Sequence, residues 1–215
     1  MLQSALSGKL IVFEGIDGAG KSTIATRLMT MLQQEDRCGV ILTRQPGGTE
    51  EGRSLSELLK GGAFRDDPAA EFFLFAADRA VHMRKVIEPA LRKGLIVLCD
   101  RMGDSSYAYQ GFGRGVDREM ISSVNQYIMQ GIVPDLTVYL MIDYTSAQQR
   151  IGARAGNNAY DHEEASFFRA VTKGYETLYT DRPDVMRVDA TLPVEVIVHK
   201  VYQRACSLIG CDESY

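Results

Sequence analysis

Apolar positions fall along this chain in two alternating patterns. Short, mostly apolar stretches occur at Lys9 to Phe13, Val40 to Thr43, Leu95 to Asp100 and Leu136 to Ile142, with a short last one at Val185 to Val188 that Arg187 interrupts. Their length and β-branched content predict strands buried on both faces, as in a parallel sheet. Between them apolar residues recur three or four apart, the spacing of a helix face. Ile24, Leu28, Met31 and Leu32 mark a helix from Lys21 to about Glu35, and Leu55, Leu58 and Leu59 mark a shorter one over Gly52 to Lys60. Asp67 before Pro68 is a helix start, an N-cap with proline in the first turn, and opens a pattern reaching about Val86. Pro89 should kink or restart that helix before Gly94 closes it. Further helices are predicted around Met120 to Ile128, over Phe167 to Tyr179, and from Pro193 through Leu208. Strands alternating with helices imply a five-stranded parallel sheet covered on both faces. Met1 to Gly8 reads as a loose lead-in and Cys211 to Tyr215 as a frayed tail.

Composition narrows the class. A chain of 215 residues with 45% hydrophobic content can bury one sizeable core, which predicts a single domain over residues 1–215. A formal net charge of -4 provides no broad basic field, so nucleic acid is not the expected partner. Cys38, Cys99, Cys206 and Cys211 form no C-x-x-C pair and no metal-ligand spacing. That usage fits a reducing, cytoplasmic setting, and no apolar run approaches membrane-spanning length.

The chemistry starts after the first strand. Gly15-Ile16-Asp17-Gly18-Ala19-Gly20-Lys21-Ser22 matches the phosphate-binding pattern G-x-x-x-x-G-K-[ST], and Thr23 follows it into the helix. Strand, glycine turn and helix in that order converge loop N–H groups and the positive helix end on one anion. Lys21 would reach the β and γ phosphates of a nucleotide, and Ser22 would place its hydroxyl on Mg2+. Arg44, at the end of the second strand before Gln45-Pro46-Gly47-Gly48-Thr49, reads either as an anion clamp or as a surface arginine beside a turn. The third apolar run ends in Asp100-Arg101, which delivers an acid toward phosphates and magnesium. Phe72, Phe75, Arg79 and His82 share a helix face; the aromatic positions suit a core, but a guanidinium one turn from Phe75 requires a partner. Asp104 to Gly115 carries Ser105, Ser106, Tyr107, Tyr109, Gln110 and Arg114, suited to reading a small polar ring or, alternatively, a solvated loop. Ala147 to Asn158 suggests a small mobile cover within a lid at about 147–162, with Arg150 and Arg154 one turn apart. His82, His162 and His199 lack metal-site company and read as structural or exposed.

Together, Phe13 to Thr23, Arg44 to Thr49 with Gly52, Phe75-Ala76-Ala77-Asp78-Arg79, Asp100-Arg101 and Ser106 to Gly111 make the chain resemble the thymidylate kinase family over nearly its whole length. The resemblance implies the P-loop nucleoside monophosphate kinase fold with a small lid, and transfer of the γ-phosphate of ATP to dTMP, with Mg2+, in dTTP biosynthesis. It implies Arg44 and Arg101 on the acceptor phosphate, Phe75 stacked on thymine, and Arg79 on the exocyclic oxygen with Ser106 and Gln110 nearby. Asp17 would meet the 3′-hydroxyl and Tyr109 would crowd the 2′ position. Gly18 stands where some members carry a P-loop arginine, so the resemblance is to the bacterial type, with Arg150 or Arg154 supplying the cation from the lid. A homodimer is also implied. Met102 after the Asp-Arg pair and Asp161-His162 after the lid depart from the family pattern, and the latter leaves a ligand role for Glu163 or Glu164 open. The alternatives are another nucleoside monophosphate kinase, a P-loop nucleotide switch and a nucleic-acid-dependent ATPase. No N-K-x-D segment supports the switch and no basic stripe supports the last.

Overall fold

The computed structural model describes residues 6–34, 39–62, 64–152 and 164–210. Five parallel strands, β1 (Lys9–Glu14), β2 (Val40–Arg44), β3 (Ile96–Asp100), β4 (Leu136–Met141) and β5 (Val185–Asp189), lie in the order β2-β3-β1-β4-β5. The chain fills one side of β1 and then the other, so β1 is the topological switch point, where open α/β sheets gather ligands beyond the strands' carboxyl ends. Register sets those ends level, with Phe13 and Arg44 both opposite Asp100.

Alternation along β1 separates the two cores. Ile11 and Phe13 face Ile24 and Leu28 of α1 (Lys21–Gln33), Val171 of α8 (Ala165–Leu178) and Val201 of α9 (Val194–Ile209). Leu10 and Val12 face the opposite way, toward Met83, Ile87 and Leu91. These four β1 side chains are at most 1% exposed, which explains the unbroken apolar run in the sequence. Thr49, Asp67 and Asp117 cap α2 (Glu50–Lys60), α3 (Pro68–His82) and α6 (Arg118–Met129), each accepting from a backbone N–H three residues on.

The α-helix restarts at Pro89, as expected, but without a break in the chain's helical path. After α3 the helix widens into a π-helical segment, Met83–Ile87, and continues as α4 (Glu88–Arg92) with the proline in its first turn. The wider turn absorbs the missing N–H, so the two helical pieces bury one face continuously against β1 and β3. The polar stretch after β3 is likewise helical, α5 (Gly103–Ser106) leading into a π-helical segment, Tyr107–Gly113. That register turns Ser106, Tyr109 and Gln110 to the interior, all at most 5% exposed.

His82, fully buried, ties β2 to α3. Its Nε2 lies 2.6 Å from Thr43 Oγ1 and its Nδ1 lies 2.9 Å from Gln45 Nε2. Arg79 Nε donates to Gln45 Oε1, which leaves the amide nitrogen facing the imidazole. An amide N–H can only donate, so Nδ1 accepts and the ring is neutral with its proton on Nε2. Burial first, and then the Arg79 charge, pushes its pKa down to about 4. An unfolded histidine takes up its proton near pH 6.5 and this one does not until about 4, so stability is lost as pH falls through that window. Between pH 7 and 5 the wild type should lose about 2 kcal/mol that His82→Gln does not lose. Urea midpoints of both proteins at the two pH values measure the difference, and parallel losses would remove this role for His82.

Candidate active site

A cleft of about 310 Å3 opens at the carboxyl ends of β1, β2 and β3. Asp17, Gly18, Gly20, Lys21 and Ser22 line its β1 side, and Arg44, Asp100 and Arg101 come from the ends of β2 and β3. Phe75, Arg79, Ser106, Tyr109 and Gln110 complete the wall, so the two halves singled out from the sequence share one cavity. Gly15, Ile16, Ala19 and Thr23 do not line it. The first two turn carbonyls toward Lys21, Ile16 and Ala19 pack in the core, and Thr23 is exposed on α1.

Gly20 precedes α1 at φ 92°, a left-handed value that a side chain would strain. Gly18, at φ 84°, is also pressed from outside, since a Cβ there would stand 2.5 Å from the carbonyl oxygen of Ala147 in α7 (Tyr144–Gly152). Lys21 is buried, and its Nζ donates to the carbonyls of Gly15 at 3.1 Å and Ile16 at 2.9 Å. Burial, reinforced by repulsion from Arg101, brings its pKa down to about 8 against the pull of Asp17, Asp100 and Glu14. Ser22 Oγ donates to Asp100 Oδ2 at 2.5 Å, joining the helix start to the end of β3.

Arg101 is the hub of the site. It holds φ 68°, uncommon for a residue with a side chain, and its flanking peptide is fixed by Arg101 N–H on Phe13 O at 2.9 Å. Nη2 donates to Asp17 Oδ1 at 2.7 Å and to Tyr109 OH at 3.1 Å; Nη1 donates to Ser105 Oγ at 3.0 Å and Tyr175 OH at 3.4 Å. Burial disfavours the cation, but Tyr109 and Asp17 outweigh it and hold Arg101 well above its ordinary pKa. Asp17 shows the converse: burial opposes its charge, and Arg101 and Lys21 nevertheless hold its carboxyl below the usual range.

Arg79 is 2% exposed and, among the described residues, meets only neutral oxygens at hydrogen-bond distance. Nε donates to Gln45 Oε1 at 3.1 Å, Nη1 to Asn125 Oδ1 at 2.6 Å, and Nη2 to Ser106 Oγ at 2.7 Å and Met102 O at 3.4 Å. Those four bonds leave one of its five N–H groups for a ligand. Burial lowers its pKa to about 10, partly offset by Asp78, so it remains a cation at neutral pH. Gln110 donates to Glu71 Oε2 at 3.1 Å. Asp78 accepts from Gly47 N–H at 2.9 Å and so secures the turn after Arg44.

Arg150 is not among the cleft-lining side chains; it donates to Gly18 O at 3.5 Å and to Ala190 O at 2.8 Å. Arg154, Asp161, His162, Glu163 and the chain after 210 lie outside the described residues, and Glu164 is exposed just before α8. The sequence did not single out Glu14, Asn125 or Tyr175. Glu14 stands within the motif Phe13 to Thr23 with no role of its own, and Asn125 and Tyr175 fall inside predicted helices; only the fold brings them to the site. Glu14 is fully buried, and burial together with Asp104 pushes its pKa up to about 7 despite Arg101 and three donors.

Comparison with known proteins gives the same reading of the chain. The family model described as thymidylate kinase matches residues 13–201. A thymidylate kinase of Pelotomaculum thermopropionicum is 44% identical over 197 residues, covering 90% of each chain. Thymidylate kinases of Halothermothrix orenii and Dehalococcoides mccartyi are 40% and 38% identical, covering 93% and 94% of this chain and 97% of their own lengths. With its five-stranded parallel sheet and P-loop cleft, this chain belongs to the thymidylate kinase family.

Proposed function

We propose that this protein transfers the γ-phosphoryl group of ATP to dTMP, giving ADP and dTDP for dTTP biosynthesis. The observation that carries this reading is the sharing of one cleft by a P-loop and a buried, ligand-ready guanidinium beside an aromatic ring. A P-loop alone serves many reactions. Phe75 supplies a stacking face, and the remaining Arg79 N–H suits a carbonyl oxygen of thymine, with Ser106 and Gln110 on the same wall. Arg44 and Arg101 hold the acceptor phosphate from two strand ends. Asp17 serves the 3′-hydroxyl and Tyr109, buried against Asp17 and Arg101, closes the 2′ side to ribonucleotides.

Phosphoryl transfer asks the protein for alignment and charge compensation more than for covalent help. Lys21 and the loop N–H groups hold the donor phosphates, and Arg101 brings the acceptor phosphate to them. Ser22 Oγ and Asp100 Oδ2 are the hard-oxygen pair that fits Mg2+, which typically takes one or two protein oxygens beside phosphate and water. When bound, that ion would neutralise charge on the phosphates. The remaining cation is assigned to the lid within a single domain. Arg150 is engaged by the backbone carbonyls of Gly18 and Ala190, which favours Arg154 for the transferred group. An arginine at position 18 would collide with Ala147 at φ 84°, consistent with a lid-supplied cation. Among the described residues no helix is long and apolar enough to cross a membrane, and Leu58 and Phe73 are half exposed on α2 and α3. The exposed pair suits a homodimer, and the cytoplasm is the proposed location.

ADP release from magnesium ATP should be strong with dTMP and weak with UMP, CMP, AMP and GMP. Equal rates with all acceptors, or with none, would contradict the proposal. Arg79→Ala should lower kcat/KM for dTMP on the order of 100-fold with little change in ATP binding. Arg154→Ala should reduce kcat at least about 100-fold, and more than Arg150→Ala, at similar dTMP KM; unchanged turnover in both variants would remove the lid arginine from the mechanism. Because Lys21 acts as a cation and titrates near 8 in the free protein, kcat/KM for ATP should fall as pH rises beyond that value. A profile flat to pH 9.5 would rule out that dependence.

A further inference from the structure

Three donors converge on the carboxyl group of Glu14, the last residue of β1. Met102 N–H reaches Oε1 at 2.8 Å, and Ser105 Oγ and Tyr175 OH reach Oε2 at 2.6 and 2.9 Å. The two hydroxyls lie 3.0 Å from each other, and both receive hydrogen bonds from Arg101 Nη1. Oε2 accepts from both hydroxyls, which turns their lone pairs toward Arg101. The bond from Met102 N–H acts on the same arginine from behind. It fixes the peptide that follows Arg101, while the bond from Arg101 N–H to Phe13 O fixes the one before it. A non-glycine residue at φ 68° persists only where its surroundings over-determine it. Backbone and guanidinium of Arg101 are therefore both referred to one buried carboxyl group that lines no part of the cleft.

We propose that Glu14 is a positioning residue for Arg101, acting through Ser105, Tyr175 and the Met102 amide to present that arginine to the acceptor's phosphate. The inference rests on the role given to Arg101 above. Direct contact with substrate is excluded by three intervening groups, so the effect appears in acceptor use and leaves donor binding intact. Glutamine at position 14 keeps the shape and one acceptor, but its amide N–H groups compete with Arg101 for the same hydroxyl lone pairs. Phenylalanine at 175 removes one arm of the relay without touching a charge.

The test is steady-state kinetics of Glu14→Gln, Tyr175→Phe, the double variant and Arg101→Ala, with ATP and dTMP varied separately. Glu14→Gln should raise dTMP KM about tenfold with ATP KM within about twofold, and Tyr175→Phe should raise dTMP KM by a smaller factor. The double variant should fall well short of the product of the two, because both changes cut the same path. Should Glu14→Gln not fold, Tyr175→Phe and Ser105→Ala decide by the same split between dTMP and ATP. Equal increases in both KM values, multiplicative effects, or an unchanged dTMP KM while Arg101→Ala raises it would each overturn the role of Glu14. If Arg101→Ala itself leaves dTMP KM unchanged, the reading of Arg101 fails and the inference with it.

Discussion

Glu14, Asp17, Lys21 and Arg101 form a set of charges at the end of β1 whose members are each too buried to be stable alone. Desolvation acts against the charged form of all four. Asp17 and Arg101 overcome it through their 2.7 Å ion pair, whereas Lys21 and Glu14 remain displaced toward neutrality, at about 8 and 7. Removing Asp17 would leave Arg101 uncompensated, and the reverse, in a medium that screens poorly. The parallel strands make the arrangement possible, because they bring the ends of β1 and β3 side by side in register.

That set is poised for polyphosphate. Lys21 rests on two backbone carbonyls and Arg101 on neutral hydroxyls as well as Asp17, so added anions find donors already fixed in place. Fixed dipoles and cations avoid reorganisation as charge moves, which is the main assistance phosphoryl transfer requires. Arg79 repeats the logic at the other end of the cleft. Its neutral partners orient the guanidinium without cancelling its charge.

Much of the architecture was legible in the sequence, since buried strands and amphipathic helices write their periods directly into apolar positions. The P-loop, Arg44 and Asp100-Arg101 were legible because each follows a strand, and strand ends meet at one edge. Two things were hidden. Pro89 marked a kink or restart, but periodicity carries no sign of the π-helical turn that precedes it and accommodates the missing N–H. The same widening after Ser106 turned a stretch open to two readings into a buried helical wall. Glu14 and Tyr175 were hidden for a different reason: their bond joins residues 161 positions apart, and no local pattern encodes it. Asn125, paired with Arg79 across 46 positions, was missed likewise.

The central claim is that donor and acceptor meet in one cleft and the phosphoryl group passes directly between them. Tracing the label from [γ-32P]ATP in the presence of dTMP tests it most directly. Label recovered in dTDP, with inorganic phosphate no higher than without dTMP, is the expected result. Label accumulating in inorganic phosphate, with unlabelled dTMP left behind, would contradict the account.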